Sequence, residues 1–130
     1  MDAVIRLCLI GAGGFCGAVL RYQVSGWVQD RSGSVTFPFG TLAVNMIGCL
    51  LIGLLTYLVE TRSFFSVETR GFVLVGLLGA FTTFSTFGNE TLTLLRDNRV
   101  LLALFNVGFQ VIAGVALVWL GRVMASLVWR

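Results

Sequence analysis

The sequence predicts an all-α integral membrane protein, a single domain of four transmembrane helices over residues 1–130 with a break in the third. Two observations predict the helices. The composition is 57% hydrophobic and 12% charged, without histidine. Uncharged runs extend from Leu7 to Leu20, Val35 to Val59, Gly71 to Asn89 and Val100 to Gly121, and a helix of about 20 apolar residues crosses the roughly 30 Å hydrocarbon layer of a bilayer. A third observation predicts the break: six of the twelve side chains from Gly79 to Glu90 are hydroxyl, amide or carboxyl, in a region otherwise apolar. A soluble fold is excluded, because 130 residues cannot enclose this much apolar surface in one core.

The first helix is expected over residues 4–28. Its apolar run is interrupted by Arg21 and resumes through Tyr22 to Val28, so Arg21 must snorkel, pair or face a wet cavity. Arg6 ahead of an apolar stretch looks like the start of a secretion signal. No small-residue cleavage site follows cleanly, however, and Arg21 stands where cleavage would fall, so the segment is expected to stay. The second helix is expected over 38–59, the third over 71–95 with its break near 79–83, and the fourth over 100–126. Connections fall near 29–37, 60–70 and 96–99. Cys8, Cys16 and Cys49 lie within the helices at spacings that suit neither paired disulfides nor a zinc site, and they are expected as buried free thiols.

With four spans, both termini and the 60–70 connection share one side of the membrane. Arg6, Arg62, Arg70, Arg122 and Arg130 fall there, whereas Arg21, Arg31, Arg96 and Arg99 fall on or toward the other side. Basic residues near membrane ends set orientation, and five against four of the nine leaves almost no bias. Such a chain inserts either way up, which permits an antiparallel homodimer in which each subunit meets an inverted copy of itself. Close helix approach for that dimer is available at Gly13 and Gly17, with Gly11 and Gly14 beside them, and at Gly76 four residues before Ala80. The net charge of +3 serves anchoring in the lipid membrane. A nucleic-acid partner would want a clustered basic patch, which the sequence lacks.

Gly79 and Gly88 bracket the polar segment, and with its threonines and serine they predict a broken helix. A break frees carbonyl oxygens for a cation and offers the amide protons of a half-helix N-terminus to an anion. Unpartnered polar groups at bilayer depth are costly, and irregular backbone is tolerated there only when buried in protein or facing water. A pore or a binding site is therefore the first expectation for this segment.

Three motifs carry a family likeness: Gly-x-x-Thr-Thr-Phe-Ser-Thr-Phe at Gly79 to Phe87, Gly-Thr-Leu-x-Val-Asn at Gly40 to Asn45, and Gly-Ala-x-x-Arg at Gly17 to Arg21. In their order, and over essentially its full length, the chain resembles the Fluc (CrcB) family of fluoride channels. The resemblance implies a dual-topology homodimer with two antiparallel fluoride pores and a structural sodium ion at the dimer centre. It also implies residence in the cell inner (plasma) membrane and passive export of fluoride that protects the cell from its toxicity. By motif, it implies Phe84 and Phe87 as pore phenylalanines, Asn45 as a pore asparagine, and Ser85 and Thr86 as hydroxyls of a polar track. The carbonyls of Gly79 and Thr82 from both subunits are implied as the sodium ligands, and four neutral oxygens suit a hard cation. Thr41 lies one turn before Asn45 on the same helix face and joins the pore set. The fourth helix departs from the pattern, with Asn106 and Gln110 one turn apart where serines are found elsewhere.

The residue chemistry suits such an ion. Fluoride is small and strongly hydrated, so a pore must replace its water with donors, here the Asn45 amide and the Ser85 and Thr86 hydroxyls. Phenylalanine adds an electropositive ring edge. Neutral donors are compatible with fast release, where a fixed positive charge would bind tightly. Arg21 reads as a structural or vestibule charge, and Glu90 either closes the polar segment or reaches the interface. The alternative function is a small dual-topology drug/proton antiporter, which needs a carboxylate deep in the bilayer. Asp2, Asp30, Glu60, Glu68, Glu90 and Asp97 all fall at or near helix ends. A non-transporting assembly subunit would leave so concentrated a polar string unexplained, and no group is arranged for covalent chemistry, so no enzyme activity is expected.

Overall fold

A computed structural model describes residues 3–62 and 65–129. Of the charged residues expected near membrane ends, Asp2, Arg130 and the side chain of Arg62 lie outside the described residues. Helix α1 runs Ala3–Ser32 and ends where Gly33 takes a positive φ of 62°, the left-handed conformation that glycine adopts freely at a helix C-terminus. Helix α2 is Phe39–Arg62. The α1–α2 loop is organised by Gln29, whose Nε2 donates to the Phe37 carbonyl at 3.2 Å while its Oε1 accepts the Gly40 N–H at 3.0 Å.

Helix α3 occupies 67–81 in three pieces: an α-turn Val67–Arg70, a π-helical stretch Gly71–Leu78, and a final α-turn Gly79–Phe81. Ser66 caps its start by accepting the Thr69 N–H at 3.3 Å. Helix α4 is Phe84–Arg96 and helix α5 is Val100–Val128. Between them Asn98 takes φ 56°, and the Arg99 N–H reaches back to the Leu94 carbonyl at 2.8 Å, which closes the end of α4. No strand occurs among the described residues.

Four segments are long and apolar enough to cross a bilayer: Ala3–Ser32, Phe39–Thr61, Val67–Arg96 and Val100–Val128, with mean hydropathies of 2.0, 2.2, 1.6 and 2.2. The chain is a multi-pass, all-helical membrane protein. Two boundaries differ by four residues from the sequence expectation, for physical reasons, and the second and fourth helices run on to Arg62 and Val128. The first helix continues to Ser32 because no breaker interrupts it before Gly33, and the third starts at Val67 because Ser66 supplies a cap. The π register over Gly71–Leu78 had no counterpart in the sequence reading.

Helix α1 packs against α3, and α2 against α5. Glycine makes both contacts. A Cβ added at Gly13 or Gly17 would run into the Phe72 or Leu77 carbonyl, and one at Gly76 into the Ile10 carbonyl. The expectation that Gly13, Gly17 and Gly76 supply the approach between two copies is therefore corrected: they bring α1 and α3 of the same chain into backbone contact, with Ala80 beside Gly17. Gly11 and Gly14 have open space around them. On the other pair, Gly53 faces the Val118 carbonyl and Gly121 the Leu50 carbonyl. Burial of the cysteines is corrected as well, because Cys8 and Cys16 stand off the face of α1 that carries Gly13 and Gly17 and are exposed; Cys49 on α2 is half-buried, and all three are free.

The core among the described residues is small. Phe37, Leu94 and Ala103 form a buried cluster, with Leu42 and Leu102 against it, at the end of the bundle where α4 turns into α5. Large apolar side chains such as Leu7, Phe15, Leu101 and Ile112 stay on the outer surface. In a bilayer such a surface is solvated by lipid tails, so the helices are held by close packing and interhelical hydrogen bonds.

Candidate functional site

The third span is interrupted at two residues. Thr82 (φ −91°, ψ 160°) and Thr83 (φ −152°, ψ 114°) are extended between α3 and α4. Gly79 is an ordinary helical residue at φ −60°, ψ −36°, and Gly88 lies within α4. The break expected from the bracketing glycines together with the threonines and serine thus falls on the threonines, and Gly33 is the glycine with positive φ among the described residues. Side chains make the break instead.

Asn45 Oδ1 accepts the Thr83 N–H at 2.9 Å, and Asn45 Nδ2 donates to the Thr83 carbonyl at 3.2 Å, so one carboxamide holds both faces of one residue's backbone. Thr83 Oγ1 accepts the Thr86 N–H at 3.2 Å and caps α4. In a continuous helix those two N–H groups would bond the carbonyls of Gly79 and Thr82, four residues back. Both carbonyls thereby lose their helical donors. Helix α2 comes close enough for this because of Gly48, where an added Cβ would collide with the Thr82 methyl group.

A groove of about 350 Å³ opens at the break, lined by Asn45, Gly79, Thr82, Thr83, Phe84, Phe87 and Gln110 among apolar neighbours. No charged residue is in its lining among the described residues. The Phe84 and Phe87 rings lie 5.5 Å apart and tilted by 53°. Their surroundings differ sharply, Phe84 being 82% exposed on the subunit and Phe87 8%.

From the break a run of side-chain hydrogen bonds crosses three helices. Asn45 Nδ2 donates to Gln110 Oε1 at 2.7 Å, Gln110 Nε2 to Asn106 Oδ1 at 3.1 Å, and Asn106 Nδ2 to Thr91 Oγ1 at 2.9 Å. The Thr91 hydroxyl in turn donates to the Phe87 carbonyl at 2.8 Å. Asn106, fully buried at 0% exposure, is the centre of this run. Amide oxygens and nitrogens are told apart by the network; here the Thr83 N–H, which can only donate, fixes Asn45 and every carboxamide after it.

A second cavity, about 710 Å³, lies at the end of the bundle near the α1–α2 loop, and Gln29, Asp30, Thr41, Glu90, Asp97 and Arg99 are in its lining. Thr41 donates to Glu90 Oε1 at 2.6 Å, and Glu90 Oε2 is buried without a partner. Glu90 is not at a helix end: it lies inside α4, six residues before Arg96, and bonds across to α2. In the third span as a whole it stands six residues before the end at Arg96, on the cavity at that end of the bundle. Thr41 borders this cavity and Asn45 the groove, one helical turn apart on α2.

A family model described as CrcB-like protein, Camphor Resistance (CrcB), matches residues 8–122. The chain belongs to the CrcB family. It is 47% identical over 119 residues to a protein of Methanosarcina acetivorans named fluoride-specific ion channel FluC 1, a match covering 92% of this chain and 89% of that one. It is 44% identical over 118 residues to the fluoride-specific ion channel FluC of Hydrogenovibrio crunogenus, covering 91% and 89%. With the protein of the same name from Parabacteroides distasonis it shares 43% identity over 123 residues, covering 95% and 94%. These relatives are named as channels and not as enzymes.

In this CrcB-family chain, Asn45, Phe84, Phe87, Gly79 and Thr82 come together at the groove. Thr41 and Glu90 belong to the second cavity, and Arg21, half-buried on α1, lines neither. Ser85 and Thr86 lie on the exposed face of α4, outside the groove lining. Both Asn45 amide hydrogens are engaged by protein acceptors, as is the Thr41 hydroxyl. Sequence reasoning left Thr83 and Thr91 out of the site and gave Asn106 and Gln110 no role. Two carboxamides four residues apart on an apolar helix were the visible signal for the latter pair.

Proposed function

We propose that the protein is a fluoride-selective channel that lets fluoride leave the cell passively across the inner (plasma) membrane and so protects the cell from it. The observation that carries this reading is the break at Thr82 and Thr83, flanked by two phenylalanine rings and opening on a groove without charged residues. Fluoride gives up a strong hydration shell only to well-placed donors. Ring edges and neutral N–H or O–H groups supply these without the tight hold of a fixed cation. The relatives' names point the same way and favour a channel over proton-coupled antiport. The wide mouth lined by Asp30, Asp97 and Arg99, with Thr41 at its border, supplies the approach to Asn45 one turn below.

The working unit in this reading is an antiparallel, dual-topology homodimer with two pores. Gly79, Phe84, Ser85, Thr86 and Gly88 form an exposed strip that includes two hydroxyls. Left against lipid, that strip and the broken backbone beside it would be costly, and an inverted second copy covers both. The free carbonyls of Gly79 and Thr82 fit a hard cation, since oxygen ligands without formal charge are what such an ion takes from backbone. Those carbonyls from both copies would hold a structural sodium ion, which supplies fixed positive charge at the dimer centre.

Purified protein in potassium-loaded liposomes, read with a fluoride electrode, tests the function. Fluoride should leave at a rate far above protein-free vesicles while chloride is retained. Vesicles that leak neither ion, or both alike, would remove the channel reading.

A further inference from the structure

The hydrogen-bonded run from Thr83 to Phe87 has a direction fixed at both ends. It begins with the Thr83 N–H, which can only donate, on Asn45 Oδ1 at 2.9 Å. It ends on the Phe87 carbonyl, which can only accept, reached by the Thr91 hydroxyl at 2.8 Å. Between them each carboxamide accepts from the rung before and donates to the rung after, at 2.7 Å from Asn45 to Gln110, 3.1 Å from Gln110 to Asn106 and 2.9 Å from Asn106 to Thr91. Turning over Asn45 or Gln110 would set N–H against N–H on one side and oxygen against oxygen on the other; turning over Asn106 would set N–H against N–H at Gln110 and take the Thr91 hydroxyl away from the Phe87 carbonyl.

That order decides what the groove meets at position 110. A free carboxamide can show an ion either its oxygen or its N–H groups, because half a turn about one bond interchanges them. Gln110 lines the groove with Phe84 and Phe87, and its oxygen is covered by the Asn45 N–H. Of its two Nε2 hydrogens one goes to Asn106, and the other has no partner among the described residues. Gln110 therefore brings to the groove lining an Nε2–H left over for an anion, while one lone pair of its Oε1 is held by Asn45. Asn106 and Thr91, which enforce this, are not in the groove lining. Asn106 is wholly buried on an apolar helix, where a carboxamide is tolerated only when bonded and a leucine would fill the same space.

We propose that Asn106 and Thr91 are positioning residues of the ion path: together with Asn45 they hold the Gln110 carboxamide in the orientation that leaves an Nε2 hydrogen for the groove. Resting on the fluoride-channel reading, this locates one source of the path's preference for a small anion in the polarity of a neutral ladder. An anion finds at Gln110 an N–H that need not leave another acceptor, with no reorganisation left to perform.

The test compares wild type, Asn106→Leu, Thr91→Val and the double variant, each purified, confirmed to elute as wild type does, and reconstituted in liposomes. Each single change should lower fluoride efflux per folded dimer by about tenfold or more and narrow the fluoride-over-chloride ratio, the scale of one unmade buried hydrogen bond. The double variant should be no worse than the poorer single, because a ladder already cut has no second link to lose. Amide NMR of Gln110 gives a reading independent of flux. One of its two side-chain protons should be protected from exchange in wild type, and neither in Asn106→Leu. Losses that multiply in the double variant, or wild-type flux and selectivity in Asn106→Leu, overturn the ladder while leaving a conducting channel in place. A wild type that carries no fluoride overturns the channel reading on which the ladder's role depends.

Discussion

Replacing Asn45 with leucine keeps roughly the side-chain volume and removes three hydrogen bonds at once, to the Thr83 N–H, the Thr83 carbonyl and Gln110 Oε1. A buried polar group left unpaired costs about 1–3 kcal/mol. Three of them therefore cost roughly 3–9 kcal/mol if the backbone holds its position. An easier route is open to the chain: the Thr83 N–H can return to the Gly79 carbonyl, its acceptor in a continuous helix. That recovers one bond, straightens the third span and removes the freed Gly79 carbonyl. Whichever route is taken, the broken state loses at least about 3 kcal/mol, close to a hundredfold in population at 1.4 kcal/mol per tenfold. Fluoride efflux from liposomes should fall on that scale. Asn45→Asp should also block, because it keeps the acceptor for the Thr83 N–H but loses both donated bonds and adds a charge that repels an anion. Dimers of Asn45→Leu that elute normally and conduct at the wild-type rate would show that the carboxamide does not hold the break, and the reasoning would fail.

Adding two or three lysines to the turn at 96–99 should force one orientation and abolish flux when that variant is expressed alone, while co-expression with an oppositely biased variant restores it; full activity in a single forced orientation would exclude the inverted dimer. Phe84→Ile and Phe87→Ile should both depress fluoride efflux by removing a ring edge. They should differ in stability, with Phe84 at 82% exposure tolerating the change and Phe87 at 8% losing about 1 kcal/mol; wild-type flux in both would reduce the rings to packing. At Gly79 an added Cβ meets only the Leu74 carbonyl at 3.8 Å, so Gly79→Val should fold as a subunit yet elute as a monomer because the added bulk stands on the exposed strip. An intact dimer of that variant would place the interface elsewhere.

The four spans were legible because a bilayer imposes length and composition on every crossing helix, and both can be counted along the chain. The existence of a break was legible for a similar reason: hydroxyls and amides do not gather at that depth without a use. Its cause was not. Gly79 and Gly88 were the local signal, yet both sit in ordinary helix. The residue that pulls the Thr83 backbone out of the helix is Asn45, 38 positions earlier in the chain. Likewise the small-residue spacing at Gly13 and Gly17 announced a close approach without naming the partner, which is α3 of the same subunit.

The same limit explains how the donors were assigned. Read alone, Asn45 is a carboxamide with two hydrogens to offer an anion. In the fold both hydrogens are taken, one by Thr83 and one by Gln110, and among the described residues a hydrogen without a partner appears on Gln110 instead. A residue's type states what it can donate, whereas what it has left to donate depends on partners that the chain brings from elsewhere. Asn45 thus acts on the ion path chiefly by holding the backbone open and orienting its neighbour. A substitution there should alter the break and the polarity of the groove together, whereas Asn106→Leu should alter the polarity and leave the break in place.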